Sequence, residues 1–228
     1  MITKVTRTAI VLGATGLVGS ELLSKLLEDP YFSSIKVLGR RSTGIIHSKL
    51  TEILIDFNQA ELWSDHLIGD VLFLAFGSTL KKAGSKSAQY KIDYGYQFLF
   101  ARLAAENFVP DCVLVSAPGA SPDSCFFYQQ IKGELDRDVA KLGFDRLVLI
   151  KPSVLSGKRA EKRTGEQIGI ILGNVISWIP GIRKYRPIRA KVVAEAMIWA
   201  VKNPGDHAIM QYSLDELFKM KSSTNPAS

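Results

Sequence analysis

A chain of 228 residues that is 46% hydrophobic and 22% charged has the make-up of one globular domain with a substantial core, which excludes a disordered or fibrous protein. Its net charge of +7 raises a nucleic-acid partner. The late basic residues, Lys158 to Arg163 and Arg183 to Lys191, lack the interleaved aromatic platforms or reading helix that such a partner needs, so none is expected.

Cys112 and Cys125 are the two cysteines; they build no disulfide framework and stand at no metal-ligand spacing, which points to a reducing compartment. His47, His66 and His207 are scattered, and no metal site is expected. Lys4 and Arg7 precede an apolar run, but that run contains Gly13, Gly16 and Gly19 and reads as structure rather than as a secretion signal. The longest later apolar stretch, Ile168 to Pro180, is shorter than the roughly 20 residues that cross a bilayer. A cytoplasmic protein is expected.

Short β-rich runs alternate with longer helical ones, the pattern of βαβ units and a parallel sheet. Thr8 to Leu12 reads as a buried strand. Leu17 to Leu27 repeats apolar residues at helical spacing until Asp29-Pro30 stops it. Strands follow at Ile35 to Leu38, Thr51 to Ile55 and Val71 to Ala75. Ser87 to Asn107 is a long helix carrying Tyr90, Tyr94, Phe98, Ala101 and Ala105 at three- and four-residue steps. Cys112 to Val115 is a fifth strand, Phe127 to Leu142 a helix, and Leu147 to Ile150 a sixth strand. Beyond Ile150 the alternation loosens: a helix over Gly165 to Trp178, a helix over Ala190 to Val201 and a last strand over Ala208 to Tyr212. The right-handed crossover rule then gives an α/β fold, one Rossmann-type doubly wound parallel sheet with helices on both faces. The domain spans 1–221, with a small C-terminal substrate-binding region mainly over 152–190, and 222–228 is expected to be a disordered tail.

Gly13-x-x-Gly16-x-x-Gly19 lies between the first strand and the first helix. The first glycine permits a tight turn, the second lets backbone approach a pyrophosphate, and the third lets helix pack close on strand. Amides at the helix start, aided by the helix dipole, then hold the anion. The phosphate-binding pattern of nucleoside triphosphatases is absent. At the end of the second strand stands Gly39-Arg40-Arg41-Ser42. An acid there would favour NAD, whereas guanidinium groups suit the 2′-phosphate of NADP, so NADP(H) is expected over NAD(H).

Ser116 ends the fifth strand. Tyr128 and Lys132 share a helix face one turn apart, where a cation beside a phenol favours the phenolate. The serine is placed to hydrogen-bond a carbonyl or alcohol oxygen. Ser116 is not inside Gly-x-Ser-x-Gly, and nothing supports a hydrolase.

These motifs resemble the short-chain dehydrogenase/reductase family over nearly the whole chain. More narrowly, Gly13-Ala-Thr-Gly-Leu-Val-Gly19, Ser116-Ala-Pro-Gly-Ala120, Tyr128-x-x-x-Lys132-Gly-Glu134 and Lys151-Pro-Ser-Val-Leu-Ser-Gly157 are similar to its atypical branch containing the Tat-interacting protein. The resemblance implies a Ser116–Tyr128–Lys132 triad. It implies cofactor binding by Gly13, Thr15, Gly16, Leu17, Val18, Gly19, Arg40 and Arg41, with Asp56 near adenine and Pro152, Val154 and Leu155 near nicotinamide. Two departures stand out. The family's asparagine in the fourth helix is replaced within Lys91-Ile92-Asp93-Tyr94, and Lys151 stands where relatives often have arginine.

The sequence therefore predicts hydride transfer between NADP(H) and an unknown carbonyl or alcohol, by a monomer or homodimer. The alternative is an NADP(H)-loaded regulatory or interaction module with little turnover. The apolar Ile168 to Trp178 segment reads as a buried helix or a substrate lid.

Overall fold

A computed structural model describes residues 6–156 and 185–220. The expected helix over 165–178, most of the late basic segment and the tail at 222–228 lie outside those residues.

Seven parallel strands form one sheet in the order β3-β2-β1-β4-β5-β6-β9. They are β1 (Arg7–Leu12), β2 (Phe32–Gly39), β3 (Leu50–Leu54), β4 (Val71–Leu74), β5 (Asp111–Val115), β6 (Arg146–Lys151) and β9 (Ile209–Ser213). A two-stranded parallel pair, β7 (Leu155–Ser156) and β8 (Ile188–Arg189), stands apart. The order reverses between β1 and β4, which is where ligands bind in sheets wound this way.

Alternation along the strands sends the core to both faces. Ala9, Val11, Val71 and Phe73 pack with Leu22, Leu26, Val193 and Met197 on one side. These come from α1 (Leu17–Glu28) and the last long helix, α6 (Ala190–Lys202), which pack on each other. On the other side Ile10, Leu12, Leu72, Leu74 and Leu114 pack with Phe100, Ala104, Leu135 and Val139, carried by α4 (Gln97–Glu106) and α5 (Phe127–Val139). Strand β4, Val-Leu-Phe-Leu, is 0% exposed throughout, as a strand covered on both faces must be.

The long helix expected from Ser87 is present but not uniform. Helix α3 (Lys86–Tyr90) runs into a π-helical stretch, Lys91–Tyr96, and then into α4. A short helix, α2 (Leu80–Ala83), precedes it, and 3-10 turns occupy Phe57–His66 and Leu214–Phe218.

The two edges of the sheet differ chemically. At the N-terminal edge Asp111 accepts from both Arg7 and Arg146, tying the starts of β1, β5 and β6 together. The C-terminal edge carries every residue that the sequence nominates as a site.

Candidate functional site

At the end of β1 the chain turns through Gly13, whose φ is +92°. A Cβ there would lie 2.6 Å from the carbonyl oxygen of Ala75, so only glycine lets the turn press against the end of β4. Gly16 donates its N–H to the Gly13 carbonyl at 2.8 Å and caps α1 without any side chain accepting from the first turn. A Cβ at Gly19 would meet the Gly13 oxygen at 2.0 Å. Gly13 and Gly19 thus each have a steric reason. The amides of Leu17 and Val18 begin a 12-residue helix whose dipole favours an anion at this end. The half-buried Thr15 lies within the turn.

Beside this turn β2 ends in the exposed Arg40 and Arg41. The Arg40 guanidinium lies 5.6 Å from the centroid of the Phe57 ring, which orients it without consuming its hydrogen-bond donors. Asp56 caps the 3-10 turn, accepting from the backbone N–H of Asn58 at 2.9 Å and from its side-chain amide at 3.0 Å. The arginine segment has no acid of its own, but β3 brings one the sequence reading overlooked. Glu52 accepts from Ser42 Oγ at 2.5 Å, from the Thr43 N–H at 2.7 Å and from the Thr43 hydroxyl. Burial opposes its charge, yet these three bonds hold its carboxyl below the usual range. Its lone pairs serve the loop, leaving the guanidinium groups unpaired with it.

Tyr128 and Lys132 lie one turn apart on α5, as the spacing predicted. Tyr128 keeps 43% of its surface exposed, whereas Lys132 is 2% exposed. Among the described residues no hydrogen bond or ion pair reaches the Lys132 side chain. Ser116, 3% exposed, is turned elsewhere: its hydroxyl donates to Asp136 Oδ2 at 2.7 Å. The same carboxylate pairs with Lys151 Nζ at 3.1 Å, while its Oδ1 is buried with no partner. Ser116 therefore belongs to a buried polar knot rather than to an open face.

The electrostatics also depart from expectation. The sequence suggested that Lys132 together with the positive nicotinamide ring of a bound cofactor would draw the phenol of Tyr128 towards neutrality. In the protein, desolvation of the hydroxyl end and the carboxylates of Asp93 and Asp136 push it up to about 12. Asp93 is 0% exposed and accepts from the Ser78 N–H with both oxygens, at 3.1 and 2.9 Å. Burial raises its carboxyl to about 6, against the pull of Lys132 and the Ser78 bond. Burial lowers Lys132, and Asp93 and Asp136 oppose that shift. Asp136 had a signal in the sequence: Tyr128, Lys132 and Asp136 follow one another at four-residue steps.

After β6, Pro152 is buried, Val154 is 63% exposed and Leu155 is half-buried. The Val154 carbonyl accepts from the Ile188 N–H at 2.9 Å, anchoring this corner to β8. The glycine turn, the arginines, Ser116 and Pro152 to Leu155 all follow the C-terminal ends of parallel strands, with Tyr128 and Lys132 on the helix after β5.

No family model matches the chain. Relatives do. The mitochondrial protein FMP52 of Candida albicans is 38% identical over 199 residues, covering 84% of this chain and 86% of the relative. The corresponding protein of Aspergillus fumigatus is 35% identical over 199 residues, covering 82% and 84%. The chain belongs to the FMP52 family.

Solved structures share the fold at low identity. A UDP-glucose 4-epimerase of Thermotoga maritima, solved with UDP-glucose, matches with a TM-score of 0.68 at 13% identity over 93% of this chain and 80% of that one. A short-chain dehydrogenase/reductase superfamily protein of Agrobacterium tumefaciens with bound NAD matches at 0.66 and 12% identity, over 91% and 77%. The chain thus shares the fold of these structures, the Rossmann-type parallel sheet that the motifs implied.

One expectation is overturned. The FMP52 relatives that cover most of the chain are named as mitochondrial, which contradicts a cytoplasmic assignment. The assignment rested on cysteine usage, and a reducing compartment is not a property of the cytosol alone.

Proposed function

We propose that this FMP52 protein is an NADP(H)-dependent oxidoreductase that interconverts a carbonyl compound and its alcohol. The observation that carries the reading is Lys132. A cation 2% exposed, with no described protein group bonded to it, sits one turn from Tyr128 at the ligand-binding edge of the sheet. Asp93 and Asp136 act on its charge, and the ribose hydroxyls of a bound dinucleotide would give its ammonium group acceptors for hydrogen bonds. The glycine turn fits the pyrophosphate because Gly13 and Gly19, where any Cβ would collide with the Ala75 or Gly13 backbone, let the chain turn tightly into α1, whose first turn carries no side-chain cap.

In this reading Gly13, Thr15, Gly16, Leu17, Val18 and Gly19 hold the pyrophosphate, and Arg40 and Arg41 the 2′-phosphate. Asp56 lies near adenine, and Pro152, Val154 and Leu155 back the nicotinamide, which supplies or accepts the hydride when bound. Tyr128 exchanges the proton with the substrate oxygen. Ser116 acts as a positioning residue through Asp136, since its hydroxyl must leave that carboxylate to touch a substrate. The mitochondrial names of the relatives support the same compartment for this chain.

Titration of the purified protein with NADPH and NADH, alongside Arg40→Ala/Arg41→Ala, tests the assignment. NADPH is expected to bind at least about tenfold more tightly, the equivalent of one lost charge-assisted contact, and the double variant to lose that preference. Failure of both nucleotides to bind overturns the oxidoreductase reading. One observation favours a second reading, a nucleotide-loaded interaction protein with little turnover: the Ser116 hydroxyl is committed to Asp136. That reading requires capture of a protein partner to depend on NADPH.

A further inference from the structure

Glu52 is half-buried in β3, opposite Val37 of β2 in the parallel register, and the loop that follows β2 folds back onto it. Ser42 Oγ donates to Glu52 Oε2 at 2.5 Å. Thr43 donates to Oε1 twice, from its backbone N–H at 2.7 Å and from its hydroxyl. The same two hydroxyls accept from the chain two residues on, Ser42 from the Gly44 N–H at 3.0 Å and Thr43 from the Ile45 N–H at 3.2 Å. Each hydroxyl is thus engaged in both directions, as donor to the acid and as acceptor in a local turn. Gly44, at φ +74°, supplies the left-handed residue of that turn. The loop is a clasp closed around one carboxylate.

The clasp is continuous with the arginines. Arg41 precedes Ser42 in the chain, and Arg40 is held over Phe57, a ring packed edge-on against Phe76, Tyr96 and Phe100. A carboxylate at the end of the second strand is the device that reads NAD: it accepts from ribose hydroxyls, repels a 2′-phosphate and pairs with guanidinium groups. Glu52 has that chemistry and is hydrogen-bonded to the residue that follows Arg41. Its commitment to Ser42 and Thr43 is what withholds it. Without the two hydroxyls Oε1 would keep the Thr43 backbone N–H, but Oε2, which among the described residues accepts from Ser42 alone, would be open.

We propose that Ser42 and Thr43 are specificity-determining positioning residues, whose hydroxyls occupy Glu52 and so keep Arg40 and Arg41 free for the 2′-phosphate of NADP(H). The inference rests on the cofactor reading given above and deepens it. Cofactor choice in this chain is set by two arginines that attract the phosphate and also by two hydroxyls that silence a nearby acid. Removing the hydroxyls releases a carboxylate that competes with the phosphate for the same guanidinium groups.

The experiment titrates purified protein with NADPH and with NADH, following nucleotide fluorescence. The proteins compared are the wild type, Ser42→Ala, Ser42→Ala/Thr43→Val and the triple variant that adds Glu52→Gln. At neutral pH the released carboxylate is ionised, because an exposed glutamate titrates near about 4.3. In the double variant the dissociation constant for NADPH is expected to rise about tenfold, the equivalent of one charge-assisted contact, while that for NADH stays level or falls. Ser42→Ala alone, which opens Oε2 and leaves the Thr43 bonds in place, is expected to move the ratio in the same direction by a smaller factor. Adding Glu52→Gln removes the charge and is expected to return NADPH affinity to within about twofold of the wild type. A double variant that loses both nucleotides by the same factor overturns the inference, as does a triple variant no better than the double, because the hydroxyls would then only shape the loop. A double variant with the wild-type ratio overturns it as well. If the wild type binds neither nucleotide, the cofactor reading falls and takes this inference with it, an outcome that the wild type alone decides and that differs from each failure seen in the variants.

Discussion

Tyr128 and Ser116 were nominated together, yet their surroundings assign them opposite sensitivities. The Tyr128 side chain is 43% exposed, and no hydrogen bond of its hydroxyl involves a described residue. Replacing it with phenylalanine removes a proton donor and little structure, so Tyr128→Phe is expected to unfold within about 0.5 kcal/mol of the wild type while abolishing turnover. Ser116 is the reverse case. Among the described residues its hydroxyl is one of two donors to Asp136 Oδ2, the other being Lys151, and Asp136 Oδ1 has none. Ser116→Ala leaves a buried carboxylate further short of donors, at a cost of about 1–2 kcal/mol. Urea unfolding monitored by circular dichroism, beside a turnover assay, separates the two. The assignment is sunk if Ser116→Ala is as stable as the wild type, or if Tyr128→Phe retains full turnover. The four-residue steps from Tyr128 to Asp136 were visible in the sequence, but the direction of the Ser116 hydroxyl was not. A strand-end serine has the same one-dimensional signature whether it faces substrate or a buried acid.

At the scale of elements, the strands and long helices announced themselves through periodicity because burial on two faces dictates it. The β4 run Val-Leu-Phe-Leu and the apolar stripe of α6 are that dictate in its plainest form. Elements held by local hydrogen bonds instead of a buried stripe stayed hidden. The 3-10 turn at Phe57–His66 depends on Asp56 accepting from Asn58, and the β7–β8 pair joins residues more than thirty positions apart. The π-helical stretch at Lys91–Tyr96 was hidden for a similar reason: its period differs from that of an α-helix by too little to show over six residues. That stretch seats Asp93, and its burial makes a pH-dependent contribution. The folded carboxyl sits at about 6 against about 4 for an exposed aspartate, so the folded chain binds more protons than the unfolded chain between those limits. Stability from this group is therefore greatest below the lower value and is lost as pH rises through the upper one. Asp93→Asn cannot ionise and keeps an acceptor for the Ser78 N–H. Its stability relative to the wild type is expected to climb between about pH 4 and about pH 7, by up to roughly 3 kcal/mol. Denaturant unfolding of both proteins at the two pH values checks this, and a difference that is constant or falls with pH contradicts it.

For the whole molecule the important asymmetry is between the two edges of the sheet. The N-terminal edge is closed by its own charges, Asp111 receiving Arg7 and Arg146. The C-terminal edge keeps cations that no described ion pair satisfies: Arg40 and Arg41 after β2, and Lys132 behind β5. A dinucleotide laid along it would touch segments that follow β1, β2, β3, β5 and β6, so its binding energy appears as global stability rather than as the ordering of one loop. With NADPH at about one hundred times its dissociation constant, linkage contributes about 2.7 kcal/mol. For a chain of this size that raises the thermal midpoint by roughly 5–10 °C. NADH at the same concentration is expected to give a smaller rise, because it brings no 2′-phosphate to Arg40 and Arg41. In Arg40→Ala/Arg41→Ala the two nucleotides should become equivalent, with the remaining shift carried by the glycine turn and Lys132. Differential scanning fluorimetry across a nucleotide concentration series makes the measurement. Equal shifts for NADPH and NADH in the wild type would place the arginines outside the nucleotide site. A shift in neither would mean that the open cations of this edge serve some other anion, since the glycine turn alone would then have failed to hold a pyrophosphate.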